Sequence, residues 1–581
     1  MHSRSRRRSF LTGAGAAGVG AASLALVGCG DDDDTPAAAT SAPAGAGTAA
    51  AASPTAETVT RGGTIRYPMN GVSSGNPPTI FPYENLTYLA QTPAGYMYSR
   101  LVRGVGGPGI DVNDNTAMEG DMTTGWEQPD PLTYVFKMKP NVKWQDKAPM
   151  NGRVATATDF VNTYNAFLKL SQNGAGWKAV VDKITAPDEQ TIKIQLVAPY
   201  APFLITHASS AEALWFIPAE TIDNDQAKKD PVGTGPYIFD KFESGVAMYF
   251  SKNKTYYDAP LPNFDKIEAG MLADPQRLIA ALQAGDYDLS GLSGTIFKES
   301  KSKLDAKGTD FFPKSIATGA FFFNFDNKPF NDLRVRQALS MALDRDGYLK
   351  VQDGTEKGNW HSFLPPGLSP FYVSPRDDNK AYGAQGKYWQ RNLTEAKALL
   401  KAATGQDTLK FKLHCNVDRY GAAAQQSWEL FASTIKDAGF EAELVFEEYG
   451  SYIQSTYLGK IADGCACGPL IGSPRDPDNM FQNYWSKSAR HNFGGTIPEQ
   501  VAIDAMIEKQ RTLLDNKERL KFIQDMQVTL TESFLVIPYH ASAGWVYTQP
   551  WVKNLWYKAG YPYVADSVMK AYFTPERLKK A

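Results

Sequence analysis

From Phe321 to Lys350 the chain reads FFFNFDNKPFNDLRVRQALSMALDRDGYLK, and its hydrophobic period changes partway along. Phe321, Phe322, Phe323 and Phe325, interrupted only by Asn324, are too uniformly apolar for a strand with one wet face, so a buried strand is predicted. Asp326, Asn327, Lys328 and Pro329 break it. A helix is expected to begin at Asp332, whose carboxylate suits the first free amides. Val335, Ala338, Leu339, Ala342 and Leu343 then recur on one helical face, while Arg334, Arg336, Gln337 and Ser340 lie mostly off it. Taken alone, this is one strand–helix unit of a large core.

The same reading places further elements along the chain. Leu132 to Met138 alternates as a half-buried strand, and Thr156 with Asp159 fits a capping box before a helix Phe160–Leu170. Val181 to Ala186, the turn Pro187 to Gln190 and Thr191 to Leu196 read as a hairpin. Strands are predicted at Leu409 to Asn416 and Ala442 to Phe446, alternating with helices at Gly421 to Ala438 and Tyr449 to Leu458. Helices Ile497 to Leu514 and Lys517 to Thr531 follow, the second capped by Asp515 and Glu518, and then a strand Phe534 to His540. Such alternation favours a mainly parallel sheet covered by helices, with ligands bound beyond the carboxyl ends of its strands. That rule marks Val417 to Tyr420 and Gly468 to Arg475.

At 581 residues the chain exceeds one domain, so two or three packed units are expected. The formal net charge is −2 and no Lys/Arg block lies beyond the first residues, which argues against a nucleic-acid partner. The 11 Trp and 28 Tyr suit a core and equally the lining of a ligand cleft. Arg7-Arg8-Ser9-Phe10-Leu11 fits a twin-arginine export pattern, and a small-residue apolar run continues to Val27. Leu26-Val27-Gly28-Cys29 resembles a lipobox, which implies cleavage before Cys29 and a lipid anchor on its thiol. Asp31 to about Thr60 is acidic, then rich in Ala, Thr, Pro, Gly and Ser, and reads as a flexible tether.

Enzyme motifs fail on context. Gly13-Ala14-Gly15-Ala16-Ala17-Gly18 matches a dinucleotide fingerprint but follows no strand. Gly71-Val72-Ser73-Ser74-Gly75 matches a nucleophile elbow, yet Asn76-Pro77-Pro78 follows where a helix is required, so a cleft-edge loop is the better reading. The six histidines include no close metal-ligand pair; His414 alternates with Lys410 and Lys412 on an expected solvent face. Cys415 shares a strand face with Leu409, Phe411 and Leu413 and is expected to be buried and inert. Cys465 and Cys467 would point the same way on a strand, but a lone C-x-C is weak support for a metal. No catalytic residue, metal site or cofactor is therefore expected.

Several motifs carry a family resemblance. Asn331 to Leu339 resembles the F-x-D-x-R-V-R-Q-A-L signature of family 5 bacterial solute-binding proteins, the dipeptide, oligopeptide and nickel class of ABC importer receptors. Gly62 to Arg66 resembles that family's first strand, Trp126-Glu127 with Tyr134 to Phe136 its S-W-E…Y-x-F pattern, and Gly233 to Tyr237 its G-T-G-P-Y turn. Asp286 to Leu289 resembles its G-x-x-D strand, and Phe534 to His540 its return strand. The resemblance covers Arg61 to Phe573 and implies an α/β, periplasmic-binding-protein-like fold of type II, cluster C. It is two-lobed, with mixed sheets and an extra insert domain in the first lobe.

The organisation expected on this basis begins with a signal peptide over 1–28 and a lipidated Cys with tether over 29–60. Lobe I is expected over 61–95, 232–322 and 540–573, its insert over 96–231, and lobe II over 323–539. The implied function is capture of a peptide-like or other small polar solute between two lobes and delivery to ABC permease subunits. The protein would be a monomer, anchored by lipid to the outer face of the cell membrane. Expected ligand contacts are Asn70, Ser73, Trp360, His361, Arg419, Tyr420, Ser473 and Arg475. In peptide-binding members an Asp shortly before the D-P-D-N motif holds the ligand's ammonium group; aligned on Asp476 to Asn479, that position here is Ser473. An alternative acid there would be Asp476 or Glu447, and Arg475 would favour an anionic group. The rival classes are an exported hydrolase using Ser73 and a lipid-anchored adhesive or scaffold protein.

Overall fold

The structure is a computed structural model describing residues 58–579 except 70–76, 108, 111–115, 211–212, 273, 294–295, 297–299, 301–302, 305–317, 354–359, 417–420, 471–474, 488–496, 541–543 and 559–562. Two hydrophobic cores organise it. In the first, strand Thr64–Pro68 lies parallel to Lys266–Gly270, and Ala247–Lys252 and Tyr237–Glu243 extend that sheet antiparallel. A second, wholly antiparallel sheet runs Thr123–Asp130, Thr133–Met138, Thr191–Leu196, Val181–Asp188 and includes the expected hairpin. Helix Ala157–Leu170 buries Phe160, Tyr164 and Phe167 beside it. The capping box forms as expected: the Thr156 amide donates to Asp159 at 2.8 Å, and the Asp159 amide donates to the Thr156 hydroxyl at 3.3 Å. Both sheets feed one contiguous core that includes Ile65, Phe136, Trp144, Trp177 and Phe250.

The Gly-Thr-Gly-Pro-Tyr turn has a steric cause. A Cβ on Gly233 would lie 2.0 Å from the Met97 carbonyl oxygen, and one on Gly235 would lie 2.4 Å from that of Tyr96. The turn thus presses the returning chain against the end of helix Tyr88–Met97, and Thr234 donates to the Ser99 hydroxyl at 2.8 Å. Only residues without a side chain permit that approach.

The second core surrounds a five-stranded sheet ordered Phe440–Glu447, Leu409–Asn416, Cys465–Leu470, Thr318–Phe323, Val536–His540. The first three strands are parallel, while Thr318–Phe323 runs antiparallel to both its neighbours. The mainly parallel expectation therefore gives way to a mixed sheet. The chain enters through Thr318–Phe323 and leaves through Val536–His540, and two passages side by side in opposite senses must pair antiparallel. The same passages pair again as Leu289–Ser293 with Gly544–Thr548. A small third cluster, with Leu278, Leu282, Leu292 and Tyr547, packs there. The expected lobe boundary between Phe322 and Phe323 falls inside a strand that belongs whole to the five-stranded sheet. The strand expected at Asp286 to Leu289 begins only at Leu289. Asp288 precedes it as a buried acceptor, bonded at 2.8 Å by the Arg66 amide and at 2.8 Å by the Trp551 indole.

Helix Leu333–Ala342 starts at Asp332 as expected, the carboxylate accepting from the Arg334 amide at 2.8 Å. Of its polar positions Arg334 is exposed, whereas Arg336, Gln337 and Ser340 are all buried. Helix Leu393–Thr404 and the turn-rich segment Asn379–Trp389 pack against this helix. Arg336 is tolerated there because its guanidinium donates to the carbonyls of Phe330 (2.8 Å), Ser533 (2.7 Å) and Phe534 (2.9 Å). The last two are free carbonyls at the end of helix Asn516–Ser533, where a cation is favoured.

Candidate functional site

Helix Asn516–Ser533 begins at Asp515, whose carboxylate accepts from the Lys517 and Glu518 amides, and it presents Arg519 and Gln527 inward. Gln527 holds Ser362 (2.8 Å) and the Phe371 carbonyl (2.8 Å), which fixes the segment carrying Trp360 and His361. Both residues are buried in the structure. Trp360 is buried, donates from Nε1 to Asp346 at 2.8 Å, and has the guanidinium groups of Arg345 and Arg376 each 5.7 Å from the centre of its ring. His361 is fully buried, with Nδ1 2.7 Å from the Ser362 carbonyl. The neighbouring Phe363 and Leu364 pull the segment into the second core, which is why both polar rings go with it.

Arg475 is also buried rather than exposed. It opens the Asp476-Pro477-Asp478-Asn479 motif, where the two carboxylates are held by residues far away in sequence. Asp476 caps helix Pro477–Met480 through the Asp478 amide (2.8 Å) and takes two bonds from Arg519 (2.8 and 2.5 Å). Asp478 accepts from Gln510 (2.7 Å), Arg511 (2.8 and 3.1 Å) and the Tyr200 hydroxyl (2.9 Å). Gln510 joins the halves, its amide oxygen 2.8 Å from Arg519. Burial alone would lower the Arg511 guanidinium, but its bonds to Asp478 and that carboxylate's charge raise it instead. Burial, then the charge of Asp478, pushes the Tyr200 phenol well up, so it remains a donor.

Glu447 is committed as well. His414 Nδ1 lies 2.7 Å from its carboxylate, and the Thr456 hydroxyl donates to it at 2.8 Å. The expected solvent-facing His414 is thereby corrected: Lys410 and Lys412 are exposed, but the ring is largely covered, with Nε2 3.2 Å from Asp463. The strands on either side close over it. Asn416, at the carboxyl end of its strand, is buried; its carbonyl accepts from the Trp428 indole at 3.2 Å, and its amide donates to the Glu447 carbonyl at 3.3 Å.

Asn70, Ser73, Arg419, Tyr420, Ser473 and Cys29 lie outside the described residues, as do the export signal and most of the tether. Cys415, Cys465 and Cys467 are fully buried on one face of the sheet, with Cys415 Sγ 3.3 Å from Cys467 Sγ. Burial pushes the thiols of Cys465 and Cys467 well up, which keeps them protonated and unreactive. Sequence reading found the aspartates but missed Tyr200, Gln510, Arg511 and Arg519. Their one signal was charge balance: two closely spaced acids in an apolar stretch need cationic partners.

The chain matches the family model described as bacterial extracellular solute-binding proteins, family 5 Middle, over residues 117–492. It is 24% identical over 426 residues to the probable D,D-dipeptide-binding periplasmic protein DdpA of Escherichia coli (strain K12), covering 71% of this chain and 77% of that protein. It is 23% identical over 502 residues to the dipeptide-binding protein of the same organism, covering 82% and 89%. In fold it resembles the periplasmic binding protein DppA from Helicobacter pylori, solved in complex with the peptide STSA. The TM-score is 0.68 and the identity 22%, over 88% of this chain and 98% of that one.

Proposed function

The chain belongs to the bacterial extracellular solute-binding proteins of family 5, and on that premise we propose that it is the capture receptor of an ABC importer. It takes a peptide-like or other small polar solute between its two lobes and delivers it to the permease. It acts as an exported monomer, held at the outer face of the cell membrane by a lipid on Cys29, and breaks no bond. The observation that carries this reading is the architecture: two separate cores joined where two antiparallel passages cross. Such a joint lets two jaws close while each stays packed. Lobe I is assigned 61–97, 232 to before Thr318, and after His540 to 573, with the insert over 98–231 and lobe II from Thr318 to His540, bounds that keep helix Tyr88–Met97 and strand Thr318–Phe323 whole.

The solute recognised does not depend on a free ammonium group held beside the D-P-D-N motif. Ser473 stands where an acid would be needed, and each candidate substitute is already bonded: Asp476 by Arg519, Asp478 by Tyr200, Gln510 and Arg511, Glu447 by His414 and Thr456. Drawing any of them away would strand a buried partner, a cost of roughly 3–5 kcal/mol for an ion pair. Calorimetry with matched free-amine and N-acetylated peptides tests this. Wild type should bind the two forms comparably, and Ser473→Asp should shift preference toward the free amine. A wild-type preference for the free amine of a hundredfold or more, about 2.7 kcal/mol, would overturn the assignment. Hydrolysis of either peptide that is lost in Ser73→Ala would instead establish the enzyme.

A further inference from the structure

Tyr200 belongs to the first core, yet its hydroxyl leaves that core to donate to Asp478, 278 residues away, at 2.9 Å. Asp478 and Arg511 belong to elements of the second core: helix Pro477–Met480, beside Met480 and Phe481, and helix Gln500–Thr512, with Ile503 and Ile507. The contact has three parts. The hydroxyl bonds the carboxylate, the Ala201 amide donates to the Arg511 carbonyl at 2.7 Å, and the Arg511 guanidinium lies 5.5 Å from the centre of the Tyr200 ring. Apart from the Tyr200 bond, Asp478 is held entirely from its own side, by Gln510 and Arg511. The acceptor is therefore organised within the elements of the second core, and Tyr200 adds one bond from the first. Tyr200 and Asp478 are both nearly inaccessible, so water does not compete for the bond.

We propose that Tyr200, Ala201, Asp478 and Arg511 form a latch that holds the lobes together before any solute binds. The covalent connection between the cores runs through the two paired passages, whereas this contact is non-covalent and can break while both cores stay intact. Part of the drive for closure then comes from the protein itself. Loosening the latch lowers the closed fraction, and with it the apparent affinity for solute, in proportion. The consequence for affinity rests on the capture function proposed above; the latch itself is testable with no ligand present.

Native-state amide exchange of the full chain reads the latch at Ala201. Tyr200→Phe keeps the ring and its packing but removes the hydroxyl. It should speed exchange of the Ala201 amide about tenfold, a closed-to-open shift of about 1.4 kcal/mol, while strand amides such as Ile192 and Leu413 keep their protection. Small-angle scattering of the ligand-free double variant Tyr200→Phe, Arg511→Met should show a larger radius of gyration than wild type. Unchanged exchange at Ala201 in Tyr200→Phe overturns the proposal. So does faster exchange with an unchanged radius in the double variant, which would mark a local contact and not a lobe latch. Should Arg511→Met fail to fold, scattering on Tyr200→Phe alone takes its place and decides in the same sense. A chain that binds no peptide would still show these shifts, so failure of the capture reading and failure of the latch are told apart.

Discussion

The imidazole of His207 is enclosed by the rings of Trp177, Tyr200 and Phe203, with the Thr206 hydroxyl 2.7 Å from Nδ1. Burial, and then the charge of Arg511, pushes it down from 6.5 to about 3. Because the folded value lies below the unfolded one, the unfolded chain binds a proton between those limits that the folded chain refuses. The stability tied to this residue is complete above pH 6.5 and falls as pH drops toward 3. His207→Gln should flatten the loss of stability between pH 6.5 and 4.5 by about 1.4 kcal/mol per unit, measured by urea unfolding at stepped pH. A slope equal to wild type would mean the ring is protonated in the fold. Tyr200 and Phe203 stand close before His207 in the chain, but Trp177 comes from the separate helix Gly174–Val180, and only packing closes the cage.

At the scale of elements, local rules were reliable where the partners sit within one turn. The capping box at Thr156 and Asp159, the caps at Asp332 and Asp515 and the hairpin Val181 to Leu196 all formed where spacing placed them. Thr156→Ala should cost about 1 kcal/mol, seen as a lower urea midpoint, and Thr156→Ser should restore most of it. An Ala variant as stable as wild type would show that the helix is held by its buried face alone. Periodicity was less reliable about exposure. It separated Arg336 and Ser340 from the apolar face of their helix but could not show that other elements cover them. A helical period reports which residues share a face; what lies against that face is set by topology.

For the whole molecule, anchoring is the testable consequence of the first residues. Cys29→Ser should abolish lipid labelling and release the protein from membranes into the soluble fraction, checked by metabolic labelling and fractionation. Labelling that persists in this variant would dismiss Cys29 as the lipidated residue. Closure of the two lobes belongs to the same scale, because the bonds that bear on it join residues as far apart as Tyr200 and Asp478.

The sequence by itself determined the class of fold, the order of its elements and their caps, and the strand–helix unit at Phe321 to Ala342. The class of fold follows from the family motifs the chain resembles, and the elements and caps from apolar spacing and from side chains bonding amides two or three residues away. It also marked Asp476 and Asp478 by motif, without their partners. Only the tertiary structure decided that Arg519 and Arg511 neutralise them and that Tyr200 reaches across to one of them. The same holds for Trp360 and His361 turning inward and for Thr318–Phe323 running against its neighbours. The reason is physical. A buried charge must be compensated, but the chain's order does not say from where; the partner is whichever residue the fold brings within bonding distance once water is gone.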